Sequence, residues 1–191
     1  MFDLRKAILQ RRSIRKFTQE PVRQEILLDL VDMARMHASG NNLQPVRYGI
    51  ISGSGMCKQV FPMLRWAGYL PDFTIKSDEE PTAYIVLFKD DRVRKYCQFD
   101  IGAAATTIML MAETYGLGSC CIGSFPVQQL ADLLGLEEDL KPELVIALGY
   151  PAQKSRAVVC ENDDIKYRES ADGWFEIPKQ PLEKVIVYKG E

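Results

Sequence analysis

The chain has 191 residues, 47% of them apolar, with 24 basic and 26 acidic side chains and a formal net charge of −2. That length and balance fit one domain, residues 1–191, with a buried core, and exclude disordered, collagenous and low-complexity classes. Near-neutral charge leaves no global electrostatic footprint for nucleic acid or a membrane surface, and a single histidine, His37, excludes metal sites that need two.

Residues 3–10 read as a short helix that runs into the basic cluster Arg11-Arg12-Ser13-Ile14-Arg15-Lys16. After Pro21, the segment 23–38 carries Ile26, Leu27, Leu30, Met33 and Ala34 on one side and Glu25, Asp29, Asp32 and Arg35 largely opposite, the pattern of an amphipathic helix. Ser39-Gly40-Asn41-Asn42 ends it as a loop, and Pro45 forces extended backbone before it. Val46 to Ile51 reads as a strand, and a Ser/Gly turn over 52–55 leads to a helix around 56–66. Residues 67–82 lack periodicity and read as a long surface loop, a common place for a substrate lid.

Ala83 to Phe88 is an uncharged strand. Residues 101–116 form the most apolar helix, with Asp100 as its expected cap and Glu113 its only charge; such a helix must be covered on every side, within the domain or by another subunit. Ser119 to Ile122 reads as a short strand, 127–134 as a helix and Leu144 to Gly149 as a strand that Pro151 ends. A final strand, Val185 to Tyr188, follows a gap of unreadable pattern. Helices and strands alternate without a regular βαβ rhythm, which favours α+β.

The five cysteines contain no C-x-x-C spacing, so neither a disulfide scaffold nor a zinc ribbon is expected. The adjacent pair Cys120–Cys121 reads as small buried hydrophobes, because a vicinal disulfide is strained. Free thiols and the mixed-charge start Met1 to Lys6 predict a cytoplasmic protein. The longest uncharged run, Thr114 to Ala131, is broken by Gly116, Gly118, Gly123 and Pro126, so no membrane span is predicted.

Three segments could carry chemistry. Arginine forks bind phosphate oxygens bidentately and keep their charge, so Arg11, Arg12 and Arg15 converging with the Ser13 hydroxyl could hold a phosphate monoester. Ser39, Gly40, Asn42 and Gln44 offer donors, acceptors and close backbone approach that could read the edge of a flat heterocycle. Gly116 to Ser124 places glycines at both ends of a short apolar stretch, which suits backbone laid against a planar ligand. Taken singly, each is also what a solvated basic turn, a polar loop or a pair of tight turns looks like. The G-x-G follows a helix rather than a strand, so it is not a dinucleotide fingerprint. With no nucleophile–base pair and no carboxylate pair in sight, the hard chemistry of an enzyme here would belong to an organic cofactor.

Together and in order, these segments resemble the FMN-dependent nitroreductase family. The resemblance rests on R-R-S-I-R-K-F (11–17), S-G-N-N-L-Q-P (39–45), D-I-G-A-A-A-T-T-I-M-L-M-A (100–112), G-L-G-S-C-C-I-G (116–123), A-L-G-Y-P (147–151) and P-K-Q-P-L-E-K-V (178–185). It implies an α+β fold whose central mixed, mostly antiparallel sheet is flanked by helices, in a homodimer that exchanges its C-terminal strands and binds FMN at the subunit interface. Carried over residue by residue, it implies that Arg11, Arg12, Ser13 and Arg15 hold the FMN phosphate and ribityl chain. Ser39, Gly40, Asn42 and Gln44 match the loop that reaches the flavin in the family, often from the other subunit, and Cys121, Ile122 and Gly123 would lie near the ring. Lys179 matches the family's C-terminal phosphate contact, with Lys154 and Arg156 as rivals. The implied activity is ping-pong transfer of hydride from NAD(P)H through the flavin to a nitroaromatic, quinone or similar acceptor. The same fold also accommodates enoate reduction, reductive dehalogenation or flavin binding without turnover. The chain departs from the family pattern at His37-Ala38-Ser39, where the family has Ala-Pro-Ser, and at Val46, where it has tryptophan; residues 67–82 and 161–176 match no motif.

Overall fold

The computed structural model describes residues 3–190. Asp3 accepts from the Lys6 amide (3.1 Å) and caps helix α1 (Leu4–Gln10). Helix α2 (Gln24–Ala34) ends before the expected residue 38; it buries Ile26, Leu27, Leu30 and Ala34 of the predicted stripe and half-buries Met33. Strand β1 (Val46–Ser52) leads to α3 (Ser54–Val60), then a 3₁₀ turn over Phe61–Met63. The helix expected over 56–66 is thus shorter, because Pro62 has no N–H to donate and closes it. Residues 67–82 are irregular, as expected, and precede β2 (Ala83–Asp90).

Helix α4 (Gln98–Thr114) starts three residues before its expected first residue. Asp100 is therefore not its cap but lies buried inside the first turn, and Cys97 takes the cap position without a side-chain bond. Then follow β3 (Gly118–Ile122), α5 (Val127–Leu133), β4 (Leu140–Gly149), β5 (Lys154–Val159), β6 (Arg168–Glu169), β7 (Trp174–Lys179) and α6 (Leu182–Val185).

Four strands form the main sheet in the order β1-β2-β4-β3, every pair antiparallel. The parallel part of the expected mixture lies in a second sheet, β5-β7-β6, where β5 and β7 run together. Strand β2 alternates its buried side chains between two cores. Ala83, Ile85 and Leu87 face α2 and α4, whereas Tyr84, Val86 and Phe88 face Val60 of α3 and Leu130 of α5. Burial on both faces explains why this strand reads as an unbroken apolar run.

The final strand expected at Val185 to Tyr188 is corrected: within this chain residues 182–185 make a helical turn and 186–190 pair with nothing. Their side chains face solvent, Val187 at 97% and Tyr188 at 85% exposure. Helix α4 is likewise covered on one side only in this chain; Phe99 is 94% exposed. No helix among the described residues is long and apolar enough to cross a membrane.

Candidate functional site

The arginine segment is a short extended ribbon laid along the end of the main sheet. Arg11 caps α1 through its amide on Ala7 O (2.8 Å), and the chain then bridges β3, with the Ile14 amide on Ser119 O (2.9 Å). Alternation places Ile14 in the core beside β3 while Ser13 and Arg15 take the other direction. The approach to β3 needs glycine at 118, since a Cβ there would lie 2.8–2.9 Å from three carbons of Ile14. Phe17 is fully buried and pressed on Gly149, where a Cβ would meet its ring at 2.9 Å. Gln153 ties the ribbon from the far side: its Oε1 accepts from the Arg15 amide (2.9 Å), and its Nε2 donates to Ser13 O (3.4 Å) and Ser155 Oγ (2.6 Å).

The three guanidinium groups gain little from the chain itself. Among the described residues Arg11 reaches only Met109 Sδ (3.7 Å). Arg12 donates to Leu9 O (2.7 Å) and to Arg11 O, and its buried Nε has no partner. Arg15, 8% exposed, makes one long bond to Ser13 O (3.5 Å) and lies 4.6 Å from the centre of the Tyr167 ring. No carboxylate stands within salt-bridge distance of any of the three among the described residues. Burial, followed by repulsion from Arg11, pulls the Arg12 guanidinium below its ordinary value. Glu113 is an acidic counterweight to Arg12, but burial lifts its carboxyl above the usual range against the pull of Arg11 and Arg12. Like charges gathered without a carboxylate, with most of the Arg11 and Arg15 donors unspent, can receive an anion.

Beside Arg15 opens a cleft of about 180 Å³. Its floor is the end of β3 and the residues after it, Cys121, Ile122 and Gly123; Trp66, Ala67 and Gly68 form one wall and Tyr167 another. Cys121 Sγ lies 3.4 Å from Met109 Sδ, so β3 and α4 meet beneath it. Burial pushes the Cys121 thiol up to about 12, and Cys120 is buried and free as well. At neutral pH both are neutral thiols, which fits the small-hydrophobe reading of the pair.

Ser39, Gly40, Asn42 and Gln44 are not brought to this cleft. Their loop is held by Ser39 Oγ accepting from the Gln44 amide (3.0 Å), and Gly40 abuts Arg94, whose Nη1 would lie 2.9 Å from a Cβ. Asn41, Asn42 and Gln44 have φ of 52°, 54° and 51°, a strained run for non-glycine residues. Gln44 lines a separate hollow of about 240 Å³ with His37, Arg47 and Tyr48, and the two cavities share no residue.

Lys179 stands exposed at the end of β7, opposite Val159, and does not line the cleft. Of its rivals, Arg156 is spent on Glu176 (2.6 Å) and Asp172 (3.5 Å). Lys154 makes no ion pair among the described residues; it follows Gln153 directly and lies 5.8 Å from the Trp174 ring. Gln153, Tyr167 and the wall Trp66–Gly68 escape sequence reading, because each reaches the site from a segment without periodicity. The only local signal is the aromatic content of Trp66-Ala67-Gly68-Tyr69 and Tyr167.

The sequence profile of the nitroreductase family matches residues 8–67 and 76–150, which include the arginine ribbon, the Ser39–Gln44 loop and the cleft floor but not Lys179. A protein of Archaeoglobus fulgidus, provisionally named an NADH dehydrogenase/NAD(P)H nitroreductase, is 28% identical over 159 residues, 79% of this chain and 87% of its own. The FMN reductase [NAD(P)H] of Bacillus subtilis is 28% identical over 170 residues, 81% and 68% of the two chains. A Desulfovibrio desulfuricans protein solved with FMN, provisionally named a nitroreductase, superposes with a TM-score of 0.71 at 25% identity, covering 100% of this chain and 99% of that one.

Proposed function

This chain belongs to the nitroreductase family, and on that premise we propose that it is an FMN-dependent oxidoreductase, one flavin-binding domain over residues 1–191 that works as a homodimer. The observation that carries the reading is the Arg11–Arg15 ribbon: three guanidinium groups without a carboxylate among the described residues, of which Arg15 lines a cleft floored by Cys121 to Gly123. Arg11, Arg12, Arg15 and the Ser13 hydroxyl would hold the FMN phosphate and ribityl chain, with Lys179 or Lys154 as a further cation. Cys121, Ile122 and Gly123 would lie against the ring. When bound, FMN supplies two-electron chemistry, accepting hydride from NAD(P)H and passing it to an electron-poor acceptor, such as a nitroaromatic or quinone, after NAD(P)⁺ has left.

The chain's own part is to grip the phosphate, orient the flat ring and leave one face of it open. Two features support a second copy. The apolar side chains of Leu4, Ile8, Phe99 and Tyr188 lie exposed without cover, and the C-terminal strand that the sequence predicts finds no neighbour in its own chain. A partner would be covered by that tail, and it would bring its Ser39, Gly40, Asn42 and Gln44 to the flavin, which explains a polar, strained loop that does not reach its own chain's cleft.

The test is anaerobic reduction. NAD(P)H is expected to bleach the flavin band of the purified protein, and a nitroaromatic or quinone to restore it with two electrons taken up by the acceptor per flavin. A flavin that NAD(P)H leaves yellow contradicts the reading, and reduction without reoxidation by either acceptor replaces it with one of the other flavin reactions.

A further inference from the structure

Next to the cleft lies a larger hollow of about 710 Å³, and the two share Arg65 and Ser124. The backbone joins them there, with the Arg65 amide donating to Ser124 O (3.1 Å). The cleft alone is smaller than most small-molecule sites, whereas the hollow has their usual size. Its lining combines a flat apolar part, Phe125 and Pro126, with amides from Gln59 and Gln129 and the exposed guanidinium of Arg65. No acidic residue lines it, and the Arg65 side chain has neither an ion pair nor a hydrogen bond among the described residues. Gln129 is equally unengaged, and Gln59 spends only its Nε2, on Gly55 O at 3.4 Å.

We propose that this hollow is the anion-reading arm of the reactant site, in which Arg65, aided by Gln59 and Gln129, binds the phosphate or carboxylate that a reactant carries beside its flat reacting ring. The inference rests on the flavin reading above and adds a substrate class to it: reactants with a pendant anion over neutral ones of the same ring. The anion has two sources, the pyrophosphate of the nicotinamide dinucleotide or an acidic group on the acceptor. A planar cation at the seam serves either one, because it can face the hollow while the reactant's ring lies over the flavin that the cleft would hold.

The experiment compares FMN-loaded wild type, Arg65→Gln and Arg65→Lys. Calorimetric titration with ADP-ribose and with benzoate, both redox-inert, gives affinities independent of turnover. The ratios of kcat/KM for NADH over 1-benzyl-1,4-dihydronicotinamide, and for 4-nitrobenzoate over nitrobenzene, give the discrimination. Loss of one charge-assisted contact is expected to weaken binding and lower the matching ratio by roughly ten- to a hundredfold in Arg65→Gln, with partial recovery in Arg65→Lys. An effect confined to ADP-ribose and NADH assigns the arm to the reductant; one confined to benzoate and nitrobenzoate assigns it to the acceptor. A yellow Arg65→Gln protein with both ratios and both affinities unchanged overturns the proposal. A wild type that takes up no FMN contradicts the parent reading instead.

Discussion

An Arg11→Ala/Arg15→Ala double variant is expected to purify folded and essentially colourless. Neither side chain is bound to a carboxylate, and the ribbon is held by its backbone and by Ile14 and Phe17, all of which survive the change. The folded state loses the contact of the buried Arg15 with Tyr167, about 1–2 kcal/mol. The flavin complex loses two charge-assisted phosphate contacts at roughly 1.5–3 kcal/mol each. Together that is a fall in FMN affinity of about 10² to 10⁴. The flavin-to-protein absorbance ratio and a fluorescence titration with added FMN check it. Stoichiometric FMN in the double variant would mean that the phosphate is held elsewhere.

The largest effect on stability is expected from Phe17→Ala. Phe17 is fully enclosed in the core that contains Val60, Tyr84 and Leu130, and its ring fills the space Gly149 leaves. Removing a buried aromatic ring costs about 3–5 kcal/mol in lost transfer and cavity terms. For a chain of this size that lowers the melting temperature by roughly 6–20 °C. The Phe17 ring also seats the end of the arginine ribbon in the core that holds Ile14, which keeps the Phe17 amide on Glu79 O (2.9 Å) and that of Thr18 on Tyr150 O (2.8 Å). The variant should therefore hold FMN less tightly as well. Thermal melts with and without added FMN check both effects; a melting temperature within a degree or two of wild type would show that the ribbon is not seated on this core.

The parts of the molecule visible in its sequence are those whose signal is local. Helix α2 announces itself through Ile26, Leu27, Leu30 and Ala34, and strand β2 through an apolar run. Arg11, Arg12 and Arg15 point to an anion by residue type and spacing alone. What escapes is non-local. Strands β5 and β7 place Lys154 beside Trp174 and Arg156 beside Glu176, so each strand reads as charged loop until its partner is present. The same reason hides Gln153 and Tyr167, which meet Arg15 from more than a hundred residues away.

Asp100 is misread for a related cause. An acidic residue before an apolar run has the form of a cap, but the helix extends back to Gln98 and buries it. At the C-terminus, Val185 to Tyr188 has the residues of a strand, and a strand's structure depends on a neighbour. The separation of Gln44 from the Arg15 cleft is the corresponding fact at the site. On the homodimer proposal the motif names residues that would meet the ligand without recording which copy of the chain would supply them.

The most direct test of the account is sedimentation equilibrium of the purified protein, followed at the flavin band and at 280 nm in the same cell. One yellow species is expected at about twice the 21.7 kDa of the chain, carrying two FMN per particle. A colourless species at the mass of the single chain, still colourless after incubation with excess FMN, would contradict it.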